Sequence, residues 1–305
     1  MTIRVGLMGA MLDERSPSEV RRALGEFEAS GLDHVGVGDH VSFYTGFGMD
    51  GLVRSAQYFG ASETLRVNTA VYLLPLRHPV PVARQIAELA AMAPGRFTFG
   101  VGIGGEDRHE VEICGVDPAT RGRRMDECME VVRGLLASDA VSYEGEFFQL
   151  EEARIVPSPS PAVPIVVGGR SDAAIRRAGR FGDGWFGIWV SARRYAEVIS
   201  TVEQHAVEAG RVDLDWSHAL NVWCGVGADP DDGRRHVAPA MERFYQLPFD
   251  RFAKWSPVGT ATDIADFLAP YVAAGCTTIN LILQAESPAA GLDGAAIIRQ
   301  SLVAG

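Results

Sequence analysis

Short apolar runs alternate with amphipathic helical segments eight times along the chain, and this rhythm constrains the fold more than any single motif. The runs are Ile3–Met8, His34–Gly38, Val67–Leu73, Phe97–Gly102, Pro164–Gly168, Gly184–Ile188, Ala219–Val226 and Thr277–Leu283. They are rich in β-branched and aromatic residues, and most are almost wholly apolar. Both faces of such strands need covering, which is the signature of a parallel sheet. Alternation of strand and helix specifies βαβ units, and eight units fit a closed barrel better than an open sheet. The expected fold is an α/β (β/α)8 TIM barrel, with residues 1–305 as a single domain.

The helices carry their own punctuation. Ser16-Pro17-Ser18-Glu19 is a capping box with proline at the first helical position. Val20, Leu24 and Phe27 then form one stripe, and Gly31 closes the helix. Ser171 and Thr260 are caps for later helices, and Pro270 inside the last of these patterns is expected to kink or split it. Two segments exceed a minimal barrel and are read as insertions after strands 4 and 7. Ser142–Pro164 alternates apolar and polar residues before a proline-rich stretch, so a hairpin and a rigid crossover are expected. Asp229–Pro257 mixes a helical stretch, Arg234–Tyr245, with aromatics and prolines.

Composition narrows the function classes. The 305 residues are 47% hydrophobic and 22% charged, enough apolar material for a large core. The formal net charge of -11 disfavours a phosphodiester partner, so no nucleic acid is expected. Cys114, Cys128, Cys224 and Cys276 lie far apart without a C-x-x-C pair, so neither a metal nor a disulfide is expected, and reduced thiols suit a cytoplasmic protein. No apolar run reaches the length of a membrane span, and no secretory signal is apparent.

In a barrel of this kind, chemistry belongs at the carboxyl ends of the strands. Three clusters fall there. GVGDH at 36–40 sets Asp39 and His40 just past an apolar strand, and histidine exchanges a proton near neutral pH. GVGIGGE at 100–106 holds glycines whose amides form an anion nest, or simply a tight turn that needs positive φ. VGGRS at 167–171 ends a strand in two glycines and opens a helix, a ready phosphate site to which Arg170 adds charge. Glu106, Glu110 and Glu112 also raise a paired-carboxylate hydrolase as an alternative. His78 and His109 are read as structural and solvent-facing.

The ordered series GLDHVGVGDHV, VNTAVYLLPLRHPVPVARQIAEL, GRFTFGVGIGGE, RGRRMDECMEVVRGLL with VSYEGEFFQL, PIVVGGRS, FGDGW and VGTATDIADFL with AGCTTINLIL resembles the luciferase-like monooxygenase superfamily over nearly the whole chain. The resemblance implies a flavin-type cofactor at the carboxyl face and phosphate held by the loops after strands four and five, at Ile103, Gly104 and Gly105 and at Gly168, Gly169, Arg170 and Ser171. It implies a bulge in strand three with a cis peptide between Ala70 and Val71. The histidine after Asp39 and the acid after the strand-four glycines look like the coenzyme F420-dependent branch, in which a hydride passes between the deazaflavin C5 and a small organic substrate. The arginine-heavy composition, with Lys254 the sole lysine, fits the high-GC actinobacteria that make this coenzyme. His40 and Glu106 are the expected catalytic residues, with Asp39 bonding the ring or steadying His40. In relatives the acid directly follows a G-x-G turn; here Gly105 is interposed before Glu106. The alternatives are an FMN-dependent monooxygenase fed by a partner flavin reductase, and a non-catalytic flavin-binding homologue. Relatives imply a homodimer.

Overall fold

The computed structural model describes residues 3–9, 16–137 and 140–304. In chain order the elements begin β1 (Arg4–Met8), α1 (Pro17–Ala29), β2 (His34–Val37), β3 (His40–Phe43), β4 (Phe47–Met49), α2 (Gly51–Ala61), β5 (Val67–Thr69), β6 (Tyr72–Leu73) and α3 (Pro79–Met92). They continue with β7 (Phe97–Gly102), α4 (Arg108–Ile113), α5 (Arg121–Leu136), β8 (Val141–Glu144), β9 (Gln149–Ala153), β10 (Ile165–Gly168), α6 (Asp172–Phe181), β11 (Gly184–Gly187) and α7 (Ala192–Glu208). The last are β12 (Ala219–Val226), α8 (Pro230–Tyr245), β13 (Val258–Gly259), α9 (Ala261–Ala273), β14 (Thr278–Gln284) and α10 (Pro288–Ala304). The main sheet runs β10-β11-β12-β14-β1-β2-β5-β7-β6, and β7 pairs back to β10. With helices between the strands, this is a (β/α)8 barrel, with β5 and β6 together forming the broken third strand.

The chain divides into two compact units: 1–36, 186–201 and 216–305 in the first, 37–185 and 202–215 in the second. In the first unit β14 lies between β1 and β12 in parallel register. Ser16 caps α1 with a complete capping box. Its inward stripe, Val20, Ala23, Leu24 and Phe27, is buried. α8 meets β12 at two glycines: a Cβ on Gly225 would lie 2.0 Å from the Gly233 carbonyl oxygen. Backbone therefore packs on backbone there, and any side chain would force the helix away. Behind that crossing Trp223, Val237, Met241, Tyr245, Phe249 and Phe252 form an apolar cluster. Pro270 does not split its helix, since α9 runs through it unbroken. The Ala274 amide still donates to the Pro270 carbonyl, so the break in bonding is local to one donor.

In the second unit β7 is flanked by β5, β6 and β10, all parallel. Tyr58, Tyr72, Phe99, Ile86, Met125, Met129 and Trp185 are fully buried in this unit. The segment after α5 folds as the expected hairpin, β8 against β9, and the following Val156–Pro157 and Ser160–Pro161 bonds are cis. A second hairpin, β3 against β4, rises directly from β2 and was not expected; it places His40 at the start of a strand. Among the described residues no helix is long and apolar enough to cross a membrane, and no group of three metal-ligating side chains gathers.

Candidate active site

The site lies within the second unit, at the carboxyl ends of β2, β6, β7 and β10. Its first part is a carboxylate–histidine pair. Glu110, on the short helix α4, is 1% exposed. Its Oε2 lies 3.0 Å from His40 Nδ1, and its Oε1 accepts from the amides of Val41 (2.6 Å) and Ser42 (3.1 Å). Asp107 caps that helix through the His109 amide, and its other oxygen accepts from the Tyr44 amide at 2.7 Å. The β3–β4 hairpin and α4 are thus bound together by two carboxylates from one short segment. Phe43 stacks on the His40 ring at 4.1 Å, which fixes the ring plane. Burial works to raise the Glu110 carboxyl, but the bond to His40 and the two amides outweigh it and hold the group below its ordinary value. A carboxylate only accepts, so Nδ1 carries the hydrogen and Glu110 holds the ring in that tautomer.

The second part is a buried ion pair. The Asp39 side chain is 0% exposed. It accepts from both Arg77 terminal nitrogens, at 2.6 and 2.9 Å, and from the amides of Leu73 (2.8 Å) and Gly51 (3.1 Å). Burial is the largest influence on Asp39 and raises its carboxyl, against the lowering effects of Arg77 and the two amides. Burial acts to lower Arg77, yet Asp39 raises it overall and keeps it charged. The guanidinium also lies 4.4 Å over the Tyr72 ring.

The third part is a pair of glycine turns around a cis peptide. Ala70–Val71 is cis. Val71 then lies against both turns: a Cβ on Gly102 would sit 2.5 Å from its Cγ2, and one on Gly168 would sit 3.2 Å from its Cγ1. β7 and β10 are neighbours in parallel register, with Val101 opposite Val167, so their terminal glycines end side by side. Gly104, Gly105 and Gly169 have φ of 65, 122 and 124°, conformations open to glycine. Trp185 Nε1 donates to the Gly169 carbonyl at 2.8 Å and pins the second turn. The Ser171 hydroxyl accepts from the Ala174 amide and caps α6, and Arg170 is exposed beside it.

Several expectations change. The Asp39 carboxylate is enclosed by four donors, two on Arg77 and the amides of Leu73 and Gly51, rather than turned outward. Glu106 is exposed, and its carbonyl accepts from the Tyr44 hydroxyl at 3.2 Å; the acid that reaches His40 is Glu110. The reason is local: the Gly104–Gly105 turn swings Glu106 outward, and the helix capped by Asp107 brings Glu110 back in. Arg177, adjacent to the second turn in sequence, is buried on Asp126 and the Gly122 carbonyl and serves α5–α6 packing. His78 caps α3 through the Val80 amide, and His109 is exposed, both as expected. Arg77 and Asp107 were missed. The i, i+3 spacing of Asp107 and Glu110 on a capped short helix was the available sign that they share a face.

The luciferase-like monooxygenase family model matches residues 4–278. An uncharacterised protein of Mycobacterium tuberculosis is 36% identical over 170 residues, 56% of this chain and 58% of that relative's length. An F420-dependent glucose-6-phosphate dehydrogenase of Kineococcus radiotolerans is 29% identical over 88% of each chain. Among solved structures, an F420-dependent secondary alcohol dehydrogenase in complex with an F420-acetone adduct superposes with a TM-score of 0.85 over 99% of each chain, at 22% identity, a likeness of fold. With a family match across nine-tenths of its length and the barrel that such relatives share, the chain belongs to the luciferase-like monooxygenase family, a family of oxidoreductases.

Proposed function

We propose that the protein is a coenzyme F420-dependent oxidoreductase acting on a small organic substrate. The observation that carries this reading is the His40–Glu110 pair. Hydride transfer to or from a carbon bearing oxygen needs a proton delivered to, or taken from, that oxygen. A histidine whose Nδ1 is held by a buried carboxylate has a fixed tautomer, which suits it to that transfer. The dehydrogenase relative with 29% identity over most of the chain supports the same cofactor class.

The residues fit a flavin-type cofactor with a phosphate. Two turns of positive-φ glycines stand side by side, and neither tolerates a side chain: a Cβ on Gly169 would lie 2.7 Å from that of Ala174, and one on Gly105 would lie 2.8 Å from Arg121 Nη2. Arg121 Nε is buried without a hydrogen-bond partner beside the first turn. Ile103, Gly104 and Gly105 on one side, and Gly168, Gly169, Arg170 and Ser171 on the other, would hold the phosphate. Ala70 and Val71 would support the ring. When bound, the coenzyme supplies a carbon that gives or accepts hydride. His40 Nε2 moves the accompanying proton, Glu110 holds the imidazole in one tautomer, and Asp39 with Arg77 fixes the backbone before the strand-three turn. The chain is proposed to act as one domain and as a homodimer in the cytoplasm.

The test is a titration of purified protein with the deazaflavin and, separately, with FMN, together with single-turnover rates for His40→Ala. Tight deazaflavin binding, and a fall in hydride transfer of about 10²–10⁴-fold with cofactor affinity retained, is expected. Tight FMN binding without deazaflavin binding would instead identify a monooxygenase served by a separate reductase. Retained affinity without turnover in the native protein would mark a binding homologue.

A further inference from the structure

Arg121 opens α5 at its first helical position, after Thr120, which makes no side-chain capping bond to the helix. A cation there opposes the helix dipole, so helix stability does not explain it. The neighbouring arginines are accounted for. Arg123 pairs with Glu146, and Arg124 donates to the Pro75 carbonyl and lies over Phe148. Arg121 makes no ion pair among the described residues. Among the described residues its one hydrogen bond runs from Nη1 to the Pro118 carbonyl, while its Nε–H is buried with no acceptor. An unpaired donor below the surface loses its water without replacement, at greater cost when it is charged. Such a cost persists where a ligand removes it.

The guanidinium is aimed at the first glycine turn. A Cβ at Gly105 would meet Arg121 Nη2 at 2.8 Å, Nε at 3.1 Å and Cζ at 3.2 Å. The glycine interposed before Glu106 is thus the residue that lets this arginine reach the turn. Any other residue would be strained at φ of 122° and would push the guanidinium out.

We propose that Arg121 and Gly105 act as a unit that selects the phosphorylated form of the cofactor, with the guanidinium contributing charge-assisted hydrogen bonds to the phosphate at this turn. The inference rests on the cofactor reading above and adds to it a specificity-determining side chain. Arg170, on the other turn, is exposed, whereas the Arg121 Nε–H is buried against the first turn.

Equilibrium binding to two matched pairs tests it: the deazaflavin coenzyme against its dephosphorylated ribityl form, and FMN against riboflavin. Arg121→Gln is expected to weaken the phosphorylated member of the preferred pair by about 10- to 100-fold, the range of a charge-assisted bond. The dephosphorylated member should change by less than about twofold, and the salt dependence of the phosphorylated form should flatten as a charge contact is lost. Gly105→Ala should erode the preference in the same direction. Equal losses for both members, no loss for either, or a Gly105→Ala protein with the native preference overturns the proposal while leaving the cofactor reading intact. Native protein that binds none of the four compounds overturns both.

Discussion

The two units bury different kinds of polar group. In the second, ionised side chains lie below the surface: Asp39, Asp107, Glu110 and Arg177 are each less than a tenth exposed. In the first, the buried polar residues among those described are histidine, asparagine, serine and threonine, as in the chain His34–Asn280–Asn221, linked by bonds of 2.6 and 2.8 Å. One of its clusters is rich in aromatics, with Trp189 tilted on Phe252 at 4.8 Å and edge-on to Tyr245 at 4.9 Å. A buried charge is expensive unless several donors or acceptors surround it, whereas a neutral amide needs only one or two. The second unit therefore carries its cost where side chains must be held in one orientation, and the first is built for packing.

The sharpest way to break that contrast is Arg77→Met. The guanidinium supplies two of the four donors on Asp39, and its removal leaves a fully buried carboxylate with two amides. Loss of one partner of a buried pair costs about 3–5 kcal/mol. Chemical denaturation should show a loss of that size, and the double replacement Asp39→Leu with Arg77→Met should recover much of it. A single-variant loss below about 1 kcal/mol would mean that Asp39 is protonated or solvated, and that the second unit is no more charge-dependent than the first.

Legibility in the sequence followed the same division. The barrel strands and most caps were readable because they depend on local periodicity and on neighbouring residues: Ser16 with Glu19, Thr260 with Asp263, the glycines at strand ends. The expected strands differ from the observed ones by a residue or two at their ends. The Ala70–Val71 bulge, an implication of resemblance, is present. The charged network was not legible, since Asp39 and Arg77, or His40 and Glu110, are separated by 38 and 70 positions and no period connects them. Glu106, the acid that resemblance implies, is exposed, and the carboxylate at His40 is Glu110, a placement that follows from φ at the interposed glycine rather than from residue type.

A smaller effect is expected from Asn280→Ala in the first unit. Asn280 accepts from His34 Nε2 through Oδ1 and donates to Asn221 Oδ1 through Nδ2, and a Cβ on Gly36 would lie 3.1 Å from Oδ1. The variant loses two neutral bonds and opens space in a closely packed strand layer. A loss of about 1–3 kcal/mol is expected, without the rescue by paired replacement seen for an ion pair. A loss equal to that of Arg77→Met would erase the distinction between the units.

The smallest effect on stability, and the most informative about chemistry, belongs to Glu110→Gln. The amide still accepts from Val41 and Ser42 through its oxygen, so at neutral pH about 1–2 kcal/mol is at stake, the difference between a charge-assisted and a neutral bond. The native carboxyl is held below its ordinary value by His40 and the two amides. A carboxyl with a depressed folded value contributes stability that is fully present above the unfolded value, about 4.3, and is lost as pH falls through the folded value. The stability gap between native protein and variant should therefore be widest near neutrality and close as the solution is acidified below about pH 4. In the variant kcat should fall while cofactor affinity is kept, because the glutamine amide can also donate to Nδ1 and no longer holds the imidazole in one tautomer. A structural role alone would lower stability and leave kcat in place. Normal turnover would separate Glu110 from the proposed proton transfer and leave His40 oriented by the Phe43 stack and the hairpin backbone alone.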